Sequence, residues 1–193
     1  LNDVYRSGEY ENLEAKIDLK DSSSSVQIFG KKKPIVKTYE ISGIDVLDRQ
    51  SVDSIVSNLL FKPYVEKKVV DAITNVLKLY RTYGYSLADL TNVSFDREGG
   101  TLSFSFDEGK ISKITIEGNE RTDETVITRE FSVKEGDYFL YKNIEEGLTN
   151  LRSTNLFNDV VFSVVKANNE NVVVLHVSEK VSGVARLGFR ADS

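Results

Sequence analysis

The middle of the chain carries two helical stripes of apolar residues. The first follows Ser51, with apolar residues at every third or fourth position, as in a helix with one buried face. Its members are Val52, Ile55, Val56, Leu59 and Leu60. The second stripe consists of Val69, Ile73, Val76, Leu77 and Tyr80. We predict that Ser51 caps the first helix, that Pro63 ends it and can start the next, and that Gly84 stops the second.

Strand patterns flank these two helices. The segment 39–43 alternates apolar and polar residues and ends in glycine. Glu98-Gly99-Gly100 is typical of a hairpin turn, and the alternation resumes after it. The apolar members there are Leu102, Phe104 and Phe106. This pattern predicts a sheet with one face on a core and the other in water.

The same order of elements returns from Ile114 onward. The segment 114–118 repeats the opening strand, and Thr122 can cap a short helix. The apolar residues of the two predicted helices are Val126, Ile127 and Phe131, then Tyr141, Ile144, Leu148 and Leu151. Gly147 should weaken the second helix by about 1 kcal/mol relative to Ala. Strands are predicted at 160–165 and 172–177, so the shared order is strand, helix, helix, strand, strand. Two helices can cover one face of a three-stranded sheet, which makes the predicted fold class α+β.

A shorter unit precedes the two complete ones. Residues 1–7 are predicted to end a helix that Gly8 stops. Alternating strands follow at 13–19 and 26–29, and the stretch 30–34 is predicted to be a breaker. We therefore expect four parts, with boundaries at 1–34, 35–109, 110–180 and 181–193. Because repeated small units add binding surface with each copy, this organisation favours an interaction protein.

Composition excludes several other classes of protein. The 193 residues are 40% hydrophobic and 28% charged, which is typical of a folded chain. A net charge of −5 predicts that the chain does not bind nucleic acid. The Lys31-Lys32-Lys33 run fits a solvated linker, or an anion contact as the alternative. The absence of cysteine excludes disulfides and thiolate metal sites, and we expect no metal or cofactor. Because methionine is absent even at position 1, we expect the chain to be part of a longer product.

The sequence offers little evidence of a catalytic site. His176 is the only histidine, and its strand shows no neighbouring nucleophile. The chain has no nucleophile-elbow, dinucleotide, phosphate-loop or zinc-protease motif. Glu145 and Glu146 are adjacent on a helix and point in different directions, so they are poor acid–base partners. We expect no enzymatic activity in this segment, with no prediction for the full-length parent.

Short motifs in the two complete units carry a family resemblance. They are Ile41-Ser42-Gly43, Ile116-Glu117-Gly118-Asn119, the Gly136-Asp137 turn, Tyr80 with Gly84-Tyr85, the run 151–160, and Ser178-Glu179-Lys180. In this order the chain resembles the POTRA domains of the Omp85 superfamily of outer-membrane proteins. The resemblance implies tandem modules, each with two helices on one face of a three-stranded mixed sheet. It departs at Asn155, where the family usually has glycine, although asparagine also tolerates the left-handed region.

The resemblance also implies a place and a task. Such modules lie at the periplasmic face of the bacterial outer membrane, before a β-barrel in the same chain, and residues 184–193 resemble an opening barrel strand. Their partners would be unfolded segments of outer-membrane or secreted proteins, and accessory periplasmic proteins. The parent would be a barrel-assembly factor or a two-partner secretion transporter. As an alternative, the wording of the tail is similar to that of patatin-like phospholipases, for which this segment would connect enzyme and barrel. A cell-division protein with a single module is disfavoured by the repetition.

Candidate site residues follow from the family's use of the second strand of each module as an open edge. Clients would add a strand there, and the alternative is that these strands only cover the core. The candidates are Asn92, Val93, Ser94, Phe95 and Asp96 in one module and Val160, Val161, Phe162, Ser163 and Val164 in the other. Glycines are assigned backbone roles at strand ends and turns rather than ligand contacts. They are Gly8, Gly43, Gly84, Gly118 and Gly136.

Overall fold

The computed structural model describes residues 8–20, 23–168 and 170–180. The chain divides into two compact units between Gly109 and Lys110. The predicted helix end at 1–7 and the predicted strand in the tail, 181–193, lie outside the described residues. Within the described ranges, no helix combines the length and apolar character needed to cross a membrane.

A two-stranded hairpin opens the first unit. It consists of β1 (Tyr10–Lys20) and β2 (Ser23–Lys32), which pair antiparallel. The predicted breaker at 30–34 is wrong as far as Lys32, because Gly30 and Lys31 pair with Leu13 and Asn12 of β1.

A strand–helix–helix–strand–strand module completes the first unit. Its elements are β3 (Thr38–Ser42), α1 (Arg49–Val56), α2 (Glu66–Thr82), β4 (Asp89–Asp96) and β5 (Thr101–Asp107). The central strand β5 pairs parallel with β3 and antiparallel with β4. Leu102, Phe104 and Phe106 of β5 are buried in one core with residues of both helices. The predicted α+β module, with two helices on one face of a mixed sheet, is confirmed.

The second unit repeats this plan. Its elements are β6 (Ile111–Glu117), α3 (Glu124–Glu130), α4 (Tyr141–Ser153), β7 (Phe157–Ala167) and β8 (Glu170–Glu179). The central strand β8 pairs parallel with β6 and antiparallel with β7. Its core-facing residues Val173, Leu175 and Val177 are buried. The corner residue Asn155 adopts the left-handed backbone, with a φ of 62°.

Aspartates, rather than the predicted hydroxyl residues, cap the first helix of each module. Asp48 Oδ2 accepts the N–H of Ser51 at 3.0 Å, so Ser51 lies inside α1. Asp123 Oδ1 accepts the N–H of Thr125 at 2.8 Å, and Thr122 lies before the cap. Bonds to the Ser51 and Thr125 side chains and amides hold the pKa of each aspartate below its ordinary value. The sequence expectation therefore misplaced both helix starts by one to three residues, a common error at helix ends.

Pro63 neither ends nor starts a helix. The helix α1 ends at Val56 and continues as a short 3₁₀ turn, Ser57–Leu59. Leu60 is already extended, with φ −63° and ψ 144°, so the helical path stops before the proline. The next helix, α2, begins at Glu66, so Pro63 lies in the connection between the two helices.

Ion pairs connect the hairpin to the module of the first unit. Lys33 Nζ lies 2.6 Å from Glu66 at the start of α2, and Arg97 Nη1 lies 2.7 Å from Glu11 of β1. Lys31 Nζ also approaches Glu11, at 3.3 Å. Bonds from Lys33 and Lys31 lower the pKa of Glu66 and Glu11, respectively. Two lysines of the run are therefore paired with carboxylates.

Candidate functional site

The predicted client strands β4 and β7 lie at sheet edges. Each is bonded on one side to the central strand of its module. Within the described residues, neither has a strand on its other side. An edge strand presents a row of main-chain N–H and C=O groups to which another extended chain can pair.

Side chains of β7 alternate between the core and the solvent-facing side of the sheet. Val160, Phe162 and Val164 pair with core-facing residues of β8, and Val160 is fully buried. Val161 and Val165 lie on the opposite face and are 46% and 48% exposed. Apolar side chains therefore flank this edge on both faces of the sheet.

One bond reveals which main-chain groups of β7 face outward. The carbonyl oxygen of Val160 accepts a bond from Arg152 Nη2 at 2.6 Å, on the side away from β8. Because successive residues of a strand direct their main-chain groups to opposite sides, Phe162 and Val164 also direct theirs to the free edge. Arg152, in the last turn of α4, thus covers one end of the edge and leaves the segment 162–164 open.

Aromatic rings stand beside this edge. Phe162 lies 6.1 Å, centroid to centroid, from both Phe139 and Tyr141. Phe139 is buried, whereas Tyr141, the first residue of α4, is half exposed. An added strand would therefore find an aromatic surface between the edge and the helix.

The edge strand β4 has a related arrangement in the first unit. Val93 and Phe95 pair with core-facing residues of β5, whereas Asn92 and Ser94 are solvent-exposed. The ring of Phe95 stacks on Tyr64 with centroids 4.3 Å apart and planes 2° apart. In both modules, an aromatic residue just before or at the start of the second helix thus packs on a phenylalanine of the edge strand.

The last predicted residue of β4 serves the hairpin turn. The Asp96 carboxylate accepts the N–H groups of Glu98 and Gly99, each at 3.0 Å. This pattern is a local turn that aspartate commonly forms. Asp96 is therefore committed to the turn between β4 and β5.

Aspartates also occupy the start of each edge. Asp89 Oδ1 accepts the N–H of Leu90 at 2.9 Å, and Asp159 Oδ1 accepts the N–H of Val160 at the same distance. A side-chain acceptor at this point competes with any incoming strand. The open part of each edge therefore begins after Leu90 and Val160.

His176 has neighbours that sequence reasoning missed. Its Nε2 lies 2.9 Å from the Ser163 hydroxyl and its Nδ1 lies 3.1 Å from Glu117 Oε2. This hydroxyl–imidazole–carboxylate order is also that of a hydrolytic triad. However, the His176 and Glu117 side chains are 41% and 65% exposed on the solvent-facing side of the sheet, where water competes for each bond. The arrangement is a cross-strand bond network, and Ser163 belongs to it.

Metal-binding geometry is also missing from the part of the chain that the structure describes. No group of three or more histidine, aspartate or glutamate side chains there could hold a metal ion.

Comparisons with known proteins agree with this architecture. Residues 110–180 match the family model described as POTRA, surface antigen variable number repeat. The outer membrane protein assembly factor BamA of Buchnera aphidicola subsp. Acyrthosiphon pisum (strain APS) is 25% identical over 189 residues, covering 91% of this chain. The chain spans 30% of the length of that relative.

Solved structures share the fold over almost the whole chain. The N-terminal domain of Omp85 from the cyanobacterium Thermosynechococcus elongatus has a TM-score of 0.77 at 19% identity, covering 94% of this chain and 81% of that one. POTRA1-3 of the periplasmic domain of Omp85 from Anabaena has a TM-score of 0.69 at 22% identity, covering 93% and 79%. Residues 110–180 are a POTRA domain, and the module in the first unit shares its strand order and its pair of helices. POTRA domains are non-enzymatic modules, which supports the expectation that this segment has no enzymatic activity.

At the end of its last strand, each module has a carboxylate that accepts hydrogen bonds from the loop after the first strand. Glu108 Oε1 accepts the N–H groups of Asp45 and Val46 at 2.9 and 3.0 Å, and the Tyr80 hydroxyl at 2.9 Å. Glu108 is buried, and the three hydrogen bonds that it accepts offset the cost of removing its side chain from water. Sequence reasoning missed this contact because the bonded residues lie far apart in the chain.

The corresponding carboxylate in the second module is Glu179. It accepts the N–H groups of Arg121 at 3.0 Å and of Thr122 at 2.7 Å. Bonds from Thr122, then from Arg121, lower the pKa of Glu179. Both modules therefore have a carboxylate that accepts main-chain N–H groups of the loop after the first strand, and only the bonded residues differ.

The five glycines with predicted backbone roles all have positive φ angles. They are Gly8 (68°), Gly43 (74°), Gly84 (91°), Gly118 (89°) and Gly136 (89°). At the end of each first strand the reason is steric. A Cβ on Gly43 would overlap the carbonyl oxygen of Phe106, and one on Gly118 would overlap that of Val177. The central strand therefore approaches each first strand too closely for any side chain.

Proposed function

We propose that this segment lies in the periplasm and binds extended segments of client proteins by strand addition to β4 and β7. The clients would be unfolded parts of outer-membrane or secreted proteins, passed on toward the membrane. Its relation to the Omp85 superfamily and the name of its Buchnera relative support an assembly role. The connector role beside a patatin-like phospholipase stays a prediction.

The open edge of β7 is the observation that carries this proposal. Phe162 and Val164 direct main-chain groups outward, Val161 and Val165 expose apolar surface on one face, and Tyr141 stands beside the other face. Main-chain bonds would supply affinity, and the flanking apolar side chains would favour clients with apolar residues on both faces of the added strand.

The expected affinity is low. Each main-chain hydrogen bond contributes about 0.5–1.5 kcal/mol net, and three or four bonds must offset the entropy of ordering the client. Dissociation constants in the micromolar to millimolar range are therefore expected, at roughly 4–8 kcal/mol. Weak binding suits a protein that must release its client.

The remaining parts of the chain have proposed roles around these modules. We assign residues 1–34 to the end of a further module, since Ile17, Val26 and Ile28 of the hairpin are exposed apolar side chains on one face. Residues 181–193 would begin the barrel. Accessory periplasmic proteins and that barrel are the other proposed partners.

Variants at Arg152 test the proposal. Removing the guanidinium in Arg152→Ala frees the Val160 carbonyl, so a fluorescently labelled barrel-strand peptide should bind severalfold more tightly in anisotropy titrations. Conversely, Val164→Pro removes an outward N–H and should weaken binding. Arg81→Ala is the matched control, because Arg81 occupies the last turn of α2 as Arg152 does that of α4. Equal affinities for wild type, Arg152→Ala and Val164→Pro would contradict binding at β7.

A further inference from the structure

The opposite edge of the second sheet borders a separate groove. It has a volume of about 800 Å³ and lies between β6 and α3. Its apolar lining consists of Ile114, Ile116, Phe131 and Val133. Its polar lining includes Lys113, Glu124, Thr125, Thr128, Arg129, Lys134 and Glu135. An edge strand on one wall and a helix on the other give this groove the shape required by an extended peptide.

In the first module, side chains bridge the same position. The Tyr39 hydroxyl donates to Asp53 Oδ1 at 3.0 Å, joining β3 to α1. Arg49 donates to the same carboxylate oxygen at 3.2 Å and to the carbonyl oxygen of Ile41 at 3.1 Å. These three side chains form a strap across the edge of β3.

The second module lacks the strap residues. With Gly43 aligned on Gly118, the positions of Tyr39, Arg49 and Asp53 correspond to those of Ile114, Glu124 and Thr128. Isoleucine has no hydroxyl to donate, glutamate cannot donate to a main-chain carbonyl, and threonine is smaller and uncharged. The Thr128 hydroxyl instead donates to the Glu124 carbonyl within α3, at 2.9 Å. The groove is therefore open where the first module is closed.

The main chain of Ile111, at the start of β6, bonds to Gly136 and Asp137 at 2.8 Å, and beyond it an exposed carboxylate lies on the groove edge of the strand. Glu135 Oε1 accepts the N–H of Ile114 at 3.1 Å. This bond shows that the Ile114 N–H points away from β8 and donates to an anionic oxygen. A side chain held by one exposed bond is readily displaced, because the bond contributes about 1 kcal/mol and holding the chain costs rotamer entropy.

The groove lining carries both signs of charge, with Glu124 on α3, but the cations beside the Ile114 N–H favour an acidic segment along β6. Lys113 on β6 and Lys134 beside Glu135 have no ion pair among the described residues, whereas Arg129 pairs with Glu130 at 2.9 Å. Two free cations therefore flank the N–H of Ile114. A carboxylate on the incoming chain would meet one of them without displacing an existing pair.

We propose that this groove is a second docking site, and that it takes an extended acidic segment of a partner protein. The partner adds along β6, places alternate apolar side chains on Ile114 and Ile116, and replaces Glu135 at the Ile114 N–H. Its acidic side chains meet Lys113 and Lys134. The site does not depend on client binding at β7, since the two edges belong to opposite sides of the sheet.

Two capped synthetic peptides provide the probe. Both alternate valine with polar residues, and the polar residues are glutamate in one and lysine in the other. The isotope-labelled chain is titrated with each peptide and followed by amide NMR. The acidic peptide should shift the amides of Ile114 and Ile116, bind about tenfold more tightly than the basic one, and weaken with salt.

Matched threonine variants localise the binding. Thr128→Tyr fills the groove and should weaken the acidic peptide about tenfold. Thr149→Tyr is the control, because Thr149 is likewise exposed and donates to the carbonyl four residues earlier, at 2.8 Å. Glu135→Ala removes the competing carboxylate and should tighten binding severalfold, whereas the exposed Glu98→Ala should not. Because Glu135→Ala is expected to increase affinity, misfolding of a variant could not produce the predicted result.

Three results would overturn the inference. Shifts confined to β7 would place the acidic peptide at the client edge instead. Equal binding of the acidic and basic peptides would remove the role of Lys113 and Lys134. An absence of shifts at millimolar peptide, in wild type and in Glu135→Ala, would show that the groove takes no such segment.

Discussion

Replacing Gly147 with alanine should have two opposing effects on the free energy of unfolding, a gain from helix propensity and a loss from packing. Gly147 lies within α4 and is buried. On propensity alone, alanine should stabilise the helix by about 1 kcal/mol. In the structure, however, a Cβ at this position would lie 2.5 Å from Cδ2 and 2.8 Å from Cε2 of Phe131. Carbon atoms in contact prefer about 3.5–4.0 Å, so the ring would have to move by roughly 1 Å.

The clash should outweigh the gain in propensity. Phe131 is 1% exposed and also lines the groove between β6 and α3, so moving its ring would disturb the packing of the second unit on that side. Overpacking of this kind costs about 1–3 kcal/mol, and a displacement of a rigid buried ring belongs in the upper half of that range. We therefore expect Gly147→Ala to lower the free energy of unfolding by about 1 kcal/mol, or by up to about 2 kcal/mol. The melting temperature should fall by about 4–8 °C per kcal/mol.

Urea unfolding followed by far-ultraviolet circular dichroism measures this change, and amide hydrogen exchange assigns it to the second unit. Thr149→Ala, at an exposed position of the same helix, should instead be stabilising by a few tenths of a kcal/mol. Phe131→Leu should relieve the clash, so Gly147→Ala should be stabilising in that background. A Gly147→Ala protein as stable as wild type would refute the packing argument.

Further predictions concern Glu108 and Glu179, the carboxylates that bond to the loop after the first strand of each module. Glu108→Gln should cost the first unit about 1.5–3 kcal/mol in urea unfolding, because a buried carboxylate that accepts three bonds becomes a neutral amide, and the exposed Glu98→Gln should be near neutral. An equal effect of the two would contradict this role of Glu108. In the second unit, the pKa of Glu179 is lowered in the folded state, mainly by Thr122. Its contribution is therefore present above the ordinary glutamate pKa and is lost as pH falls through the lowered folded value. Wild type should lose its stability advantage over Glu179→Gln across that acidic window, and a pH-independent difference would argue against the linkage.

Periodic patterns predicted the elements because each pattern is local. The stripe from Val52 to Leu60 and the alternation through Leu102 and Phe104 depend only on nearby residues and on which side is buried. The edge position of the second strand in each module came from the family resemblance and not from the periodic pattern. The predicted helix starts were wrong. In α1, Asp48 lies just before the apolar stripe and caps the helix in place of Ser51.

Contacts between distant residues could not be read from the sequence. One of them joins Glu108 to Tyr80, and another joins Arg152 to the main chain of Val160. Both depend on where a helix end meets a strand. The contact between His176 and Ser163 requires the register of β7 on β8, which a one-residue slip would change completely. Candidate edges could therefore be named from sequence, but the groups that cover or open them required the structure.

The most direct test of strand addition is an isotope-edited NMR measurement on the complex with an unfolded barrel-strand peptide. If the peptide adds to β7, its backbone protons should show cross-strand contacts to Phe162 and Val164, and the amide hydrogens of these two residues should exchange more slowly. Contacts to β4, at Val93 and Phe95, would identify the corresponding edge of the first module. A bound peptide with no contact to either edge, or no binding at millimolar concentration, would contradict the account.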